Sequence, residues 1–173
     1  MLDHAIGIGK NAGASNLVVV LGADADNISE SIKDGQLPIV LNKEWPEGMA
    51  SSIRKGVEEL LSQDSSLEGV LVMACDQPHL DSDHLVSLVR HAAASNKLIA
   101  ASRYGETIGI PAFFRKGILP QLCSLQGDSG AKKLMLENKG QVGAVDFPAG
   151  EIDIDTAADY EMLLHKIEGQ NQL

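Results

Sequence analysis

At 173 residues the chain is long enough for one domain, 1–173, with a sizeable core. Hydrophobic residues make up 44% and aromatics only 3%, so Val, Ile, Leu, Ala and Met must fill that core. A formal net charge of −10 leaves no basic stripe to neutralise a phosphate backbone, which argues against a nucleic-acid partner; an anionic small ligand would need a metal or local donors.

Leu2–Ala14 reads as a helix ended by Gly13, and Leu17–Leu21 as a buried strand ending at Gly22. A weaker helix, Asp24–Lys33, leads through Gly35 to a short strand at Pro38–Leu41, and Asn42–Gly48 is a loop. Met49–Leu61 is an amphipathic helix with Ile53, Val57, Leu60 and Leu61 along one face. Gly69 opens the apolar run Val70–Ala74, whose lack of alternation suits a strand buried on both faces of a parallel sheet. Asp76 sits where this strand meets its turn, Pro78 prevents the strand from continuing, and Asp81 can cap a helix over Ser82–Ala94 with Leu85, Leu88, Val89 and Ala92 inward. Leu98–Ser102 is a strand, Arg103–Gly109 a polar turn, and Ile110–Phe114 a further strand. Two short helices, near Lys116–Cys123 and Ser129–Glu137, precede a strand at Val142–Phe147. Glu151–Asp155 alternates, Thr156–Ile167 is a final helix with Tyr160, Leu163, Leu164 and Ile167 inward, and Gly169–Leu173 is a polar tail.

Strands and helices alternate nearly throughout, which predicts an α/β fold: a three-layer, doubly wound, mostly parallel sheet with its ligand at the carboxyl edge of the strands. Such a domain ordinarily opens on a strand and a glycine-rich phosphate loop. This chain opens on a helix, so the first strand is missing. Either the architecture is unusual, or a strand, a turn and half a helix, on the order of 20–30 residues by ordinary element lengths, lies upstream or has been lost.

Several patterns carry no chemistry. Gly7-Ile-Gly9-Lys-Asn-Ala12, with Asp24 following, imitates a dinucleotide fingerprint but has no strand before it. His84 and His91 are seven apart on one helix, which is not the spacing of a zinc pair. Cys75 and Cys123 form no CxxC pair, and there is no secretory signal or roughly 18-residue apolar span, so reduced thiols, a cytoplasmic location and no membrane insertion are expected.

The carboxylates are more informative. If Glu151–Asp155 is extended, its isoleucines face one way and Asp153 and Asp155 the other. Should this segment and Asp76 end on the same edge, the carboxylates would repel unless a divalent cation neutralised them; Mg²⁺ characteristically takes one or two carboxylates plus substrate phosphates. That combination suggests phosphoryl or nucleotidyl transfer. The bland alternative is that Thr156 or Asp155 merely caps the last helix.

Four motifs occur in order: Trp45-Pro-Glu-Gly-Met-Ala-Ser-Ser-Ile-Arg-Lys-Gly56, Met73-Ala-Cys-Asp-Gln-Pro78, Leu125-Gln-Gly-Asp-Ser-Gly-Ala-Lys132 and Asp153-Ile-Asp-Thr-Ala-Ala-Asp159. Together they make the chain, from residue 2 to about 165, resemble the MobA-like nucleotidyltransferases, particularly the molybdopterin cytidylyltransferase branch, with its Rossmann-like fold. The resemblance implies that a substrate phosphate attacks the α-phosphorus of CTP, that pyrophosphate leaves, and that CMP ends on the phosphate of molybdopterin. By the same analogy Asp76 would be catalytic and hold Mg²⁺, with Asp155 or Asp153 as the second carboxylate. Gly48, Ser51 and Ser52 would lie by the nucleotide, and Gly127, Asp128 and Gly130 on the acceptor side. The chain departs from the family where the glycine-rich loop should be, and where Gly109-Ile-Pro111 lacks the usual His before proline. A catalytically weak or inactive relative that binds nucleotide or pterin in an accessory role is the second reading. In that case another subunit or a rearrangement would cover the hole left by the missing strand, and a homo-oligomer or a molybdoenzyme partner is the expected association.

Overall fold

A computed structural model of the chain describes residues 1–154 and 156–170, except the side chains of Ser129, Ala157 and residues 166–170. The expected alternation is present. Helix α1 (Leu2–Asn11) leads to β1 (Val19–Leu21), α2 (Ala25–Ser31), β2 (Ile39–Leu41), a 3₁₀ turn at Trp45–Glu47 and α3 (Met49–Gln63). Then come β3 (Gly69–Val72), α4 (Ser82–Ser95), β4 (Ile99–Tyr104) and β5 (Thr107–Arg115). The chain continues through α5 (Leu119–Leu122), α6 (Gly130–Glu137), β6 (Val142–Asp146), a 3₁₀ turn at Pro148–Glu151 and α7 (Ala157–Gln170). Local chemistry explains the boundaries: Gly13 takes φ +82 just after α1, and the Asp81 carboxylate accepts the His84 N–H at 2.8 Å to cap α4.

The four strands β3, β5, β4 and β6 lie side by side in that order. β4 and β6 are parallel, whereas β5 runs against both β3 and β4, so the sheet is mixed: β3, β4 and β6 run the same way, as expected of a mostly parallel sheet, and β5 alone of the four is reversed. The reason is a hairpin. Arg103–Gly109, expected as a polar turn, supplies the ends of β4 and β5; only Gly105 and Glu106 form the turn, with Gly105 at φ +56.

Alternate residues of β4 and β5 serve two cores, one on each face of the sheet. Ile99, Ala101, Ala112 and Phe114 pack with Ile53 and Val57 of α3, Leu122 of α5 and Leu134 of α6. Ala100 and Phe113 pack with Ile8 of α1 and Leu85 and Leu88 of α4. This gives the three layers. Two helical faces depart from the periodicity: Val89 is exposed on α4, and Tyr160 and Leu164, each 41% exposed, do not face inward on α7. The Ile167 side chain lies outside those described.

β1 and β2 form a separate parallel pair, and no ladder joins them to the larger sheet among the described residues. Val19 N–H bonds to Pro38 and Leu21 C=O accepts from Asn42, which turns the polar groups of Val18 and Val20 to the opposite edge. On β3 the Glu68–Lys116 bond sets the alternation, so Val70 and Val72 bond to β5 while Gly69 and Leu71 face away from it. Helices span the break. Ile6 of α1 packs with Val19 and Leu21 while Ile8 joins the other core, and the open Gly56 face of α3 lets Val20 Cγ2 come within 3.1 Å of where a Cβ would stand.

Candidate active site

The segments that follow β1, β2, β3 and β6, with the β4–β5 hairpin, gather along the carboxyl edge of the parallel strands, where open α/β sheets take ligands. Asp76 lies there, four residues beyond β3. Its backbone C=O accepts the N–H of Ile154 at 2.8 Å, which brings the stretch after the 3₁₀ turn, Asp153 included, beside it. Glu151–Ile154 is not a strand, and Ile152 is exposed, yet the expected meeting of Asp76 and Asp153 occurs through this main-chain bond. Asp155 lies outside the described residues. The charges of Asp153 and Asp76 both reach the phenol of Tyr104; burial first, and then those charges, raise its pKa above the ordinary 10.0.

Behind the carboxylates the backbone is braced. Gln77, only 7% exposed, reaches the Ile110 and Gly150 carbonyls with Nε2 at 3.4 Å each, and its Oε1 has no partner among the described residues. Fully buried Ser102 donates to the Pro111 carbonyl at 2.6 Å, so its oxygen accepts from His84 Nε2–H at 2.8 Å. The His84 ring stacks on Phe147 at 4.4 Å, and burial lowers its pKa below 6.5.

A second group forms around Gly48, the residue before α3, at φ +117 and ψ −177. A Cβ there would stand 2.8 Å from Asp128 Cα and from Gly127 O, so the Trp45 and Leu125 motifs meet at this glycine. Gly130 is similarly set against Met49, whose Sδ would lie 3.1 Å from an added Cβ. Ser51 is fully buried and donates to Gly48 O at 2.8 Å, while Asn42 Nδ2 donates to Ser51 Oγ at 2.8 Å and to Ser52 Oγ at 3.0 Å. Asn42 therefore fixes the start of α3 from the end of β2. A lone Asn after a strand reads as an ordinary turn residue, and nothing in the sequence marked it.

Arg54 is committed to this scaffold. It forms a two-bond pair with Glu47 at 2.7 and 2.6 Å and donates to Leu125 O at 2.6 Å. Glu47 in turn accepts the Gly127 N–H at 3.1 Å, and these bonds pull its carboxyl from 4.5 down to about 2. The Gly127 N–H is thus already occupied. An open cleft of about 680 Å³ runs between Arg54 and Leu125–Gly127, and another of about 500 Å³ lies between Gly22–Asn27, Leu41 and the half-exposed Trp45. The glycines of the imitation fingerprint, Gly7 and Gly9, are inside α1.

Comparison with known proteins identifies the family. The profile described as the MobA-like NTP transferase domain matches residues 1–142. The chain belongs to that family. Over 120 residues it is 32% identical to the purine catabolism protein PucB of Bacillus subtilis, a stretch covering 68% of this chain and 56% of that protein. The chain thus spans little more than half the length of this relative. Among solved structures of family-like fold, the Rv0371c homologue from Mycobacterium sp. strain JC1 is 26% identical with a TM-score of 0.77, covering 98% of this chain and 83% of that one. Rv0371c of Mycobacterium tuberculosis, solved as a complex with manganese, is 25% identical with a TM-score of 0.71, covering 92% and 83%.

The carboxyl edge here offers two hard carboxylates, Asp76 and Asp153. Among the described residues no group of three His, Cys, Asp or Glu could hold a metal. Such a donor set suits a divalent cation that fills its other positions with water and phosphate oxygens. No described helix is long and apolar enough to cross a membrane.

Proposed function

We propose that the chain is a metal-dependent nucleotidyltransferase that moves CMP from CTP onto the phosphate of molybdopterin. The observation that carries the reading is the meeting of Asp76 with Asp153 at the carboxyl edge, tied by the bond from Ile154 N–H to Asp76 C=O. Asp76, with Asp153 or Asp155, would hold Mg²⁺, which would neutralise charge on the triphosphate and draw electron density from its phosphorus. An acceptor phosphate oxygen forms the new bond to the α-phosphorus as the bond to the β-phosphate oxygen breaks, and pyrophosphate departs with that electron pair. The protein's part is to orient these groups and exclude water, with little covalent work of its own. Gly48, Ser51 and Ser52 bear on the nucleotide side, where Gly48 lacks a side chain that would hold the backbone off its neighbours. Gly127, Asp128 and Gly130 bear on the acceptor side, and contact at Gly48 couples the two. The choice of CTP and molybdopterin is supported by the motif resemblance.

The test is a series of thermal melts with CTP, GTP and ATP, each with and without Mg²⁺, on the wild type and Asp76→Ala. A ligand at about 100 times its dissociation constant adds roughly 2.7 kcal/mol, about 5–10 °C for a domain of this size. A Mg²⁺-dependent rise with CTP alone, lost in Asp76→Ala, is expected. No rise with any nucleotide would refute the enzyme reading and favour the accessory one.

A further inference from the structure

We propose that the Tyr104 hydroxyl is a substrate-facing donor, hydrogen-bonded to a phosphate oxygen of the metal-bound nucleoside triphosphate; this rests on the nucleotide reading of the Asp76 and Asp153 edge. Tyr104 is the last residue of β4, at the carboxyl edge where the ladder with β5 gives way to the hairpin turn.

Two glycines make room for its ring. A Cβ at Gly109 would stand 3.0 Å from Tyr104 Cζ and closer still to the hydroxyl, and one at Gly150 would stand 3.1 Å from Cδ1. Gly109 belongs to β5 and Gly150 to the turn after β6; at Gly150 the nearer ring is that of Phe147, whose Cδ1 would stand closer still to an added Cβ, so Tyr104 and Phe147 share that space. Neither has a positive φ, so backbone conformation does not explain their lack of a side chain. The ring fills a made seat.

The hydroxyl, by contrast, is unspent. It makes no hydrogen bond to any described residue, and its oxygen is not buried, so it is open to solvent and to a ligand. It also lies within reach of the charges of both Asp153 and Asp76. Those two side chains, as carboxylates, only accept hydrogen bonds. A triphosphate held there by a cation is itself all acceptor, so a neutral phenol supplies the donor its outer oxygens lack. A ring that only filled space would serve equally well as phenylalanine.

The experiment uses the full chain, with Mn²⁺ binding counted by electron paramagnetic resonance and Mn·CTP binding measured by calorimetry. In Tyr104→Phe, Mn²⁺ affinity should stay within about twofold of wild type while Mn·CTP binds about ten- to hundred-fold more weakly, the size of a lost hydrogen bond to a charged group. Gly109→Ala, which displaces the ring without removing it, should weaken Mn·CTP in the same sense and leave Mn²⁺ binding in place. Equal Mn·CTP affinity in Tyr104→Phe and wild type would overturn the role of the hydroxyl and leave the nucleotide reading standing. Parallel loss of Mn²⁺ and Mn·CTP in Tyr104→Phe would also overturn it, because the phenol would then act through the carboxylates. Failure of the wild type to bind Mn·CTP at all would remove the nucleotide reading, and the proposal with it.

Discussion

Gly48→Ala is a sharp probe of how the nucleotide and acceptor sides are joined. At φ +117 and ψ −177 the backbone occupies a region essentially restricted to glycine, so any side chain costs about 1–3 kcal/mol of strain. The added Cβ would also stand 2.8 Å from Asp128 Cα and Gly127 O, which are main-chain atoms and cannot swing aside, and overpacking of this kind costs about 1–3 kcal/mol more. Taken together, a loss of about 4 kcal/mol lowers the melting temperature by about 8–16 °C at 2–4 °C per kcal/mol. Gly127→Ala is the matched control. Its φ is +69, but an added Cβ meets nothing within 4 Å, so only the left-handed penalty of about 1–2 kcal/mol applies, and the melt falls by about 2–8 °C. Differential scanning calorimetry of both variants decides the matter. Equal shifts would mean that Gly48 and the Gly127–Asp128 turn are not in contact, and the coupling of the two sides would fall with it.

Asn42→Ala leaves Ser51, the Glu44 N–H and Ser52 without their common partner, and should destabilise the protein by about 2–3 kcal/mol, read as a lower urea midpoint with an unchanged slope. Two groups contribute to the acid limb of stability in separate windows. Glu47, its pKa lowered by Arg54 and then by Gly127 N–H, contributes stability that is present above pH 4.5 and lost as the pH falls through about 2; in Glu47→Gln that part of the denaturation profile should flatten. Neutral His84, lowered by burial, contributes stability that is complete above pH 6.5 and lost as the pH falls through its lower folded value; His84→Gln should remove the dependence in that window. Unchanged profiles in these variants would refute the assignments.

What the sequence carries well is local. The Asp81 cap, the buried stripe of α3 and the alternation of elements depend on residues a few positions apart, so periodicity and capping chemistry expose them. The hairpin escaped because Arg103-Tyr-Gly-Glu-Thr107 is polar; its ladder pairs Arg103 with Ile108 and Tyr104 with Thr107 without an apolar alternation to announce it, and the strands that flank it, β6 and β3, lie far away in the chain. On α7 the apolar spacing of Tyr160 and Leu164 is real, but spacing does not say what covers a stripe. The same limit hid Tyr104, whose place is defined by glycines from two other elements, and Arg54, which the fold uses to anchor Glu47. Asp76 and Asp153 were legible as residue types, while their meeting depends on one bond between main chains 78 positions apart, from Ile154 to Asp76.

The break between the two sheets should leave an imprint on amide exchange. Along β1 the N–H groups of Val19 and Leu21 are paired while those of Val18 and Val20 have no backbone partner among the described residues; along β3, Val70 and Val72 are paired while Gly69 and Leu71 have none among them. Deuterium should therefore enter each strand in an every-other-residue comb, fast and slow amides side by side within the same buried element. Any strand that came to lie in the break would erase the comb at both margins at once, which makes the alternation a direct gauge of whether that space is filled.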